Sequence, residues 1–188
     1  MGGASMKFCF DIDKSIAATA LVLQEAGGKC DLIHIVKTLY YANRLFLVEH
    51  GRTITGDRLV SMNMGPVVSQ TYDLLKGSTA ADPSNLTKWK TFISPRQGNF
   101  VRLIRLPDVQ YLSVKEVEFL KNAYMVVSQV KTRLSDWSHT VFPEWKNPNG
   151  GSEDIDPADI LRIEQKPSQE IADIEDEVAC VNWLKSIA

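Results

Sequence analysis

The sequence predicts a mainly α-helical fold of the α+β kind: a single helical domain that carries a small antiparallel β-sheet or hairpin. Three observations lead there. Apolar residues recur at helical spacing over several long stretches, most clearly at Leu32, Ile35, Val36, Leu39, Tyr40, Phe46 and Leu47. Alternation with a period of two is confined to short stretches near Val60 and Met62 and between residues 87 and 106. The chain has 188 residues, 44% of them apolar and 23% charged, which suffices for one core without disulfides or metals.

The elements follow in order. Residues 1–12 read as an N-terminal tail, and Met1-Gly2-Gly3-Ala4-Ser5, ahead of a second methionine, has the look of a cloning scar. Asp13 is placed to cap a first helix that runs to about Ala26 and stops at Gly27-Gly28. Asp31 caps the second helix, and His50 followed by Gly51 is favourable stop chemistry. Its apolar face is wide, so this helix is expected at the centre of the molecule. Arg58 to Asn63 suits a short half-buried strand. Gly65-Pro66 then opens a helix that ends at Gly77, with proline in the first turn, where its missing N–H costs nothing.

Residues 87–106 read as a basic β-hairpin. Trp89, Thr91 and Ile93 alternate on one arm, Pro95 to Asn99 form the turn, and Lys88, Lys90, Arg96, Arg102 and Arg105 face no acid within the segment. The 58–63 strand is expected to join it in a three-stranded sheet. Ser113 to Glu116 form a capping box for a long helix through about Trp137. The domain is expected to span 13–146. Residues 147–188 read as a linker, a short helix at Asp156-Pro157 and an acidic last helix capped by Ser168.

The net charge of −2 hides a division. Residues 151–188 hold ten acids against three bases, net −7, so the first 150, with 18 bases against 13 acids, carry +5. Such a split fits an acidic segment facing a basic body or partner. The three cysteines (Cys9, Cys30 and Cys180) form no CxxC pair and suit reduced thiols in a cytoplasmic protein. No stretch approaches the roughly 20 apolar residues of a membrane span, and no secretory signal is recognisable.

Enzyme motifs are missing from the sequence. It contains no HExxH, no GxSxG and no GxxxxGK[ST], and its three histidines (His34, His50 and His139) have no partner at ligand spacing. No catalytic residue, cofactor or metal is expected. Gly65-Pro66 and Asp57 suit structural elbows and turns. His139 with Trp137 and Trp145 suits a lock that pins the end of the long helix to the body, since buried indole and imidazole N–H groups need partners.

Four separated pieces carry a resemblance. They are Lys37-Thr38-Leu39-Tyr40-Tyr41-Ala42-Asn43-Arg44; Gly51-Arg52 with Ile54-Thr55-Gly56-Asp57; Met64-Gly65-Pro66-Val67 with Tyr72; and Leu134-Ser135-Asp136-Trp137-Ser138-His139 with Trp145. In this order and spacing the chain resembles the Panacea domain family of SocA-like antitoxins and phage-associated proteins. The resemblance implies a mostly helical domain without catalytic apparatus that neutralises a toxin or another target protein by direct binding. It also points to Tyr40, Asn43, Arg44, Asp57, Gly65, Pro66, Tyr72, Trp137, His139 and Trp145 as motif positions. Asn43 stands where many relatives carry an acid.

A nucleic-acid-binding regulator that uses Arg96 and Arg102 of the basic hairpin is the alternative reading. An enzyme with a site near His139 and Asp57 is a third. The sequence leaves the partner's identity and the oligomeric state open.

Overall fold

The computed structural model describes residues 6–187, so the scar read at residues 1–5 lies outside the described residues. Helix α1 (Ile12–Glu25) begins earlier than expected. Asp11 caps it, because its extended backbone is tied to the Thr55 carbonyl. Asp13 lies inside the first turn and instead meets the Lys88 ammonium at 2.6 Å.

A short strand, β1 (Lys29–Asp31), leads into α2 (Leu32–His50), which keeps both expected ends. The Asp31 carboxylate accepts from the Ile33 N–H at 2.9 Å. Gly51, at φ 67°, closes the helix through its N–H to the Leu47 carbonyl. That left-handed conformation is open to glycine without a Cβ penalty.

The segment after β2 (Leu59–Met62) corrects the sequence reading. Gly65-Pro66 does not open a helix. Gly65–Val68 is a strand, β3, paired antiparallel with β2 from Leu59↔Val68 to Met62↔Gly65. Val67 and Val68 are β-branched and buried, which suits a strand. Pro66 is tolerated because β3 lies at the edge of its sheet. Helix α3 (Ser69–Lys76) begins only after it.

The 87–106 hairpin is largely replaced. Residues Pro83–Trp89 form helix α4, capped by Asp82, whose side chain accepts from the Asn85 N–H. The alternation of Trp89, Thr91 and Ile93 belongs to a helical end that folds back, with the Ile93 N–H on the Trp89 carbonyl, so both large side chains reach the core. Isolated bridges remain at Ile93↔Leu103 and Gln97↔Phe100. Strand β4 (Phe100–Arg102) pairs with β1. The expected three-stranded sheet therefore has other members: β3, β2 and β5 (Glu153–Asp154).

The expected long helix is two. Helix α5 (Val114–Ser128) keeps its capping box, with Ser113 and Glu116 each accepting from the other's backbone N–H. The chain then leaves the helix, and extended backbone at Arg133 starts α6 (Leu134–Val141) in a new direction. Asp156 caps α7 (Pro157–Ile163) as expected. Helix α8 (Ser168–Ser186) starts after Pro167, and Ser168 is its first residue rather than a side-chain cap.

Helix α2 packs against α1, α5, α6, α7 and β3, which explains its wide apolar face. Ile155, Leu161, Ile171, Ile174 and Val178 join the same buried cluster, so α7 and α8 lie against the body. The structure is mainly helical, at 53%, with small antiparallel sheets. No helix among the described residues is long and apolar enough to cross a membrane.

Candidate functional site

The polar residues singled out on α2 point inward, and Tyr40 and Arg44 find their partners far along the chain. Tyr40 donates its hydroxyl hydrogen to Glu144 Oε1 at 2.7 Å. Arg44 donates to the same carboxylate from Nε at 2.8 Å and from a terminal nitrogen at 3.2 Å, and reaches Glu164 at 2.6 Å. Tyr40, Arg44 and Glu144 are all buried. Burial, reinforced by the charge of Glu144, holds the Tyr40 hydroxyl well above its ordinary pKa, so it stays a donor. Burial opposes the Arg44 charge, but Glu144 and Glu164 together outweigh it and keep the guanidinium a cation. The network ties α2 to the Pro143–Trp145 turn and to the end of α7.

One turn away, Asn43 holds the loop that follows α2. Its Oδ1 accepts from the Ile54 N–H, the Thr55 N–H and the Thr55 hydroxyl at 2.9–3.1 Å, and its Nδ2 donates to the Leu39 carbonyl. Asn43→Ala would leave two buried backbone N–H groups unmet, each worth about 1–3 kcal/mol. With partial relaxation of the loop, the expected loss lies at the lower end of their sum, about 2–3 kcal/mol, read from the urea midpoint. A loss below half a kilocalorie would mean that water replaces the amide.

Asp57 caps α3 from outside the helix. It accepts from the Gln70 and Thr71 N–H groups at 2.8 Å and from the Thr71 hydroxyl at 2.6 Å. Burial pushes its carboxyl above the usual range, and the bonds from Thr71 and its neighbours pull it part of the way back. Thr71 also shares a hydrogen bond with Ser15 of α1. Glu116 does similar work at α5: it meets Lys14 at 2.7 Å and Arg52 at 2.9 Å. Burial raises its pKa, and its bonds to Lys14, the Ser113 N–H and Arg52 more than reverse that.

Pro66 and Gly65 lie over α2. The Pro66 carbonyl accepts from the Lys37 ammonium at 2.8 Å. Lys37 is only 1% exposed, and burial lowers its pKa from 10.5 to about 7. Between pH 7 and the Cys30 thiol's ordinary value of 9, the unfolded chain therefore holds more protons at Lys37 than the folded one. Stability should rise with pH across that window, by at most about 1.4 kcal/mol per unit. Lys37→Met should flatten the rise in denaturant melts taken at several pH values. An unchanged slope would place the titration elsewhere.

The aromatic positions divide. His139 stacks on Trp145 at 3.7 Å between ring centroids, and the Trp145 indole donates to the Met62 carbonyl at 2.9 Å. This pair joins α6 to β2. Trp137 lies apart from it, edge-on to Tyr41 and Phe142. Tyr72 and the exposed Arg96 line a cavity of about 520 Å³ that Lys37, Met64 and Asn99 also border. Arg102 is exposed on β4. His139 and Asp57 share no hydrogen bond, and neither borders this cavity.

Sequence reasoning missed Glu144 and Lys37 as holders of this framework, and found Glu116 only as a capping-box residue, not as the partner of Lys14 and Arg52. For Lys37 a signal existed: a lysine between Val36 and Leu39 on an apolar helix face is out of place unless its ammonium has a buried acceptor. For Glu144 there was none, because its partners lie 100 and 104 positions away.

The sequence model of a family described as antitoxin SocA-like, Panacea domain, matches residues 35–146. That span runs from α2 through Glu144 and Trp145, and so covers every framework contact above except those reaching Ser15, Lys14 and Glu164. No curated protein and no solved structure matches the chain.

Proposed function

We infer that this chain, which belongs to the family of SocA-like antitoxins with a Panacea domain, neutralises a partner protein in the cytoplasm by binding it directly. It acts by covering the partner, through buried apolar area and matched charge, and does no chemistry on it. One observation carries the reading. Four of the polar side chains at the motif positions are engaged by the protein itself, Tyr40 and Arg44 with Glu144, Asn43 with the 54–55 backbone and Asp57 with the start of α3, whereas the buried His139 Nε2 has no hydrogen-bond partner among the described residues. A general acid, base or nucleophile must keep a proton-accepting or proton-donating atom available to a substrate. The four engaged residues instead fix the relative positions of α1, α2, α3, α6 and α7, which is what a rigid docking surface requires.

The test is co-expression with the product of the neighbouring gene. That product should arrest growth when expressed alone, and this chain should restore growth and co-purify with it. A neighbour that is harmless alone, or that stays toxic and does not co-purify, would contradict the reading for this protein.

A further inference from the structure

The β1–β4 ribbon has a charge arrangement that its own fold disfavours. The register sets Lys29 directly opposite Arg102 and Asp31 opposite Phe100. Cys30 and Val101 point inward and are buried, so Lys29, Asp31, Phe100 and Arg102 share the outer face. Like charges directly opposite each other destabilise a strand pair. No carboxylate relieves them: among the described residues Lys29, Arg96 and Arg102 form no ion pair. Asp31, the acid on the same face, is engaged as the cap of α2. The Lys29 ammonium lies over the half-exposed Phe100 ring, 4.4 Å from its centroid.

The ribbon runs into the 520 Å³ cavity, to which Asp31, Arg96 and Asn99 contribute from this end. Its walls are otherwise largely apolar, with Leu32, Val36 and Val67 inside and Met64, 59% exposed, at the rim. Lys37 borders it as well, its nitrogen held by the Pro66 carbonyl.

We propose that the outer face of the β1–β4 ribbon, together with this cavity, is the surface that receives an acidic segment of the partner protein carrying an apolar anchor. This rests on the reading of the chain as a binder of proteins and names the place and the chemistry. Carboxylates of the partner offset the Lys29–Arg102 repulsion and meet Arg96, while one apolar side chain fills the cavity. Unpaired cations around an aromatic ring, beside a pocket, make a complementary site for such a segment. A nucleic acid would use the cations but leave the apolar walls unfilled, and the chain's net charge of −2 opposes it.

The test uses the full chain and a short labelled peptide of alternating glutamate and leucine, followed by fluorescence polarisation. The wild type should bind the peptide, and more weakly as salt rises. Arg102→Glu and Arg96→Glu should each weaken binding about tenfold. Arg102→Glu also turns the cross-strand pair with Lys29 attractive, so its melting temperature should hold or rise while binding falls; a merely structural role for Arg102 predicts the opposite. Three results would overturn the proposal. Peptide binding could be absent or indifferent to both variants, duplex DNA or single-stranded RNA could bind more tightly than the peptide, or the chain could self-associate through these residues.

A parallel arm uses the neighbouring gene's product. If the wild type does not bind it, the functional reading falls, and the peptide still decides the surface. If the wild type and both variants bind it equally, the surface proposal alone falls.

Discussion

Glu144→Ala is expected to destabilise the protein by about 3–5 kcal/mol, because it removes one partner of a buried ion pair and leaves the other charge behind. Arg44 would keep only Glu164, whose side chain is 37% exposed, and the Tyr40 hydroxyl would lose its acceptor inside the core. The loss should appear as a lower urea midpoint with little change in slope. Replacing the whole set (Tyr40→Phe, Arg44→Met and Glu144→Leu together) should recover much of it, since an apolar set of similar size leaves no unmet charge. If the triple variant is no more stable than Glu144→Ala alone, packing rather than the orphaned charge dominates at this site.

Gly65→Ala should cost a similar amount, about 2–5 kcal/mol, from two separable causes. The backbone at Gly65 has φ 91°, which L side chains rarely adopt. A Cβ there would also overlap the Ser138 hydroxyl and stand 2.8 Å from the Lys37 nitrogen. The β2–β3 hairpin approaches α6 and α2 closely only because this position carries no side chain. Ser138→Ala in the Gly65→Ala background should restore part of the stability by removing the overlap, leaving the backbone cost. A double-mutant cycle in thermal melts separates the two. Strict additivity would show that the hairpin moves away instead of clashing.

What the sequence disclosed depended on how local the determinant was. Helix α2 was legible from end to end because its cap at Asp31, its apolar face and its stop at Gly51 lie within twenty-one residues of chain. β2 was legible as a strand from the alternation of Val60 and Met62, but not as half-buried, since Leu59 and Ser61 on the other face are as buried as Val60. The Gly65–Val68 strand was not: proline after glycine is also good helix-opening chemistry, and only the partner strand decides between the two. The break between α5 and α6 had no glycine or proline to announce it. Helix α4 did have a signal in Asp82-Pro83, a cap followed by a first-turn proline, but it sits in a stretch of small polar residues that is equally compatible with a loop.

The candidate site divides in the same way. The residues Tyr40, Asn43, Arg44 and Asp57 stood out in the sequence, but their work did not, because Glu144, the 54–55 backbone and Thr71 come to them only through the tertiary fold. The ribbon's charge pair was hidden for the same reason. Lys29 and Arg102 are 73 positions apart, and only the β1–β4 register sets them opposite each other.

The most direct measurement is a titration of the partner's toxic activity with increasing amounts of the purified chain. Neutralisation by covering predicts that activity falls in proportion to the chain added and reaches its floor at one fixed molar ratio. It also predicts that the partner regains activity, with unchanged mass, when the two are separated. Silencing of many partner molecules by each copy of the chain, with a covalent change left on the partner, would contradict it.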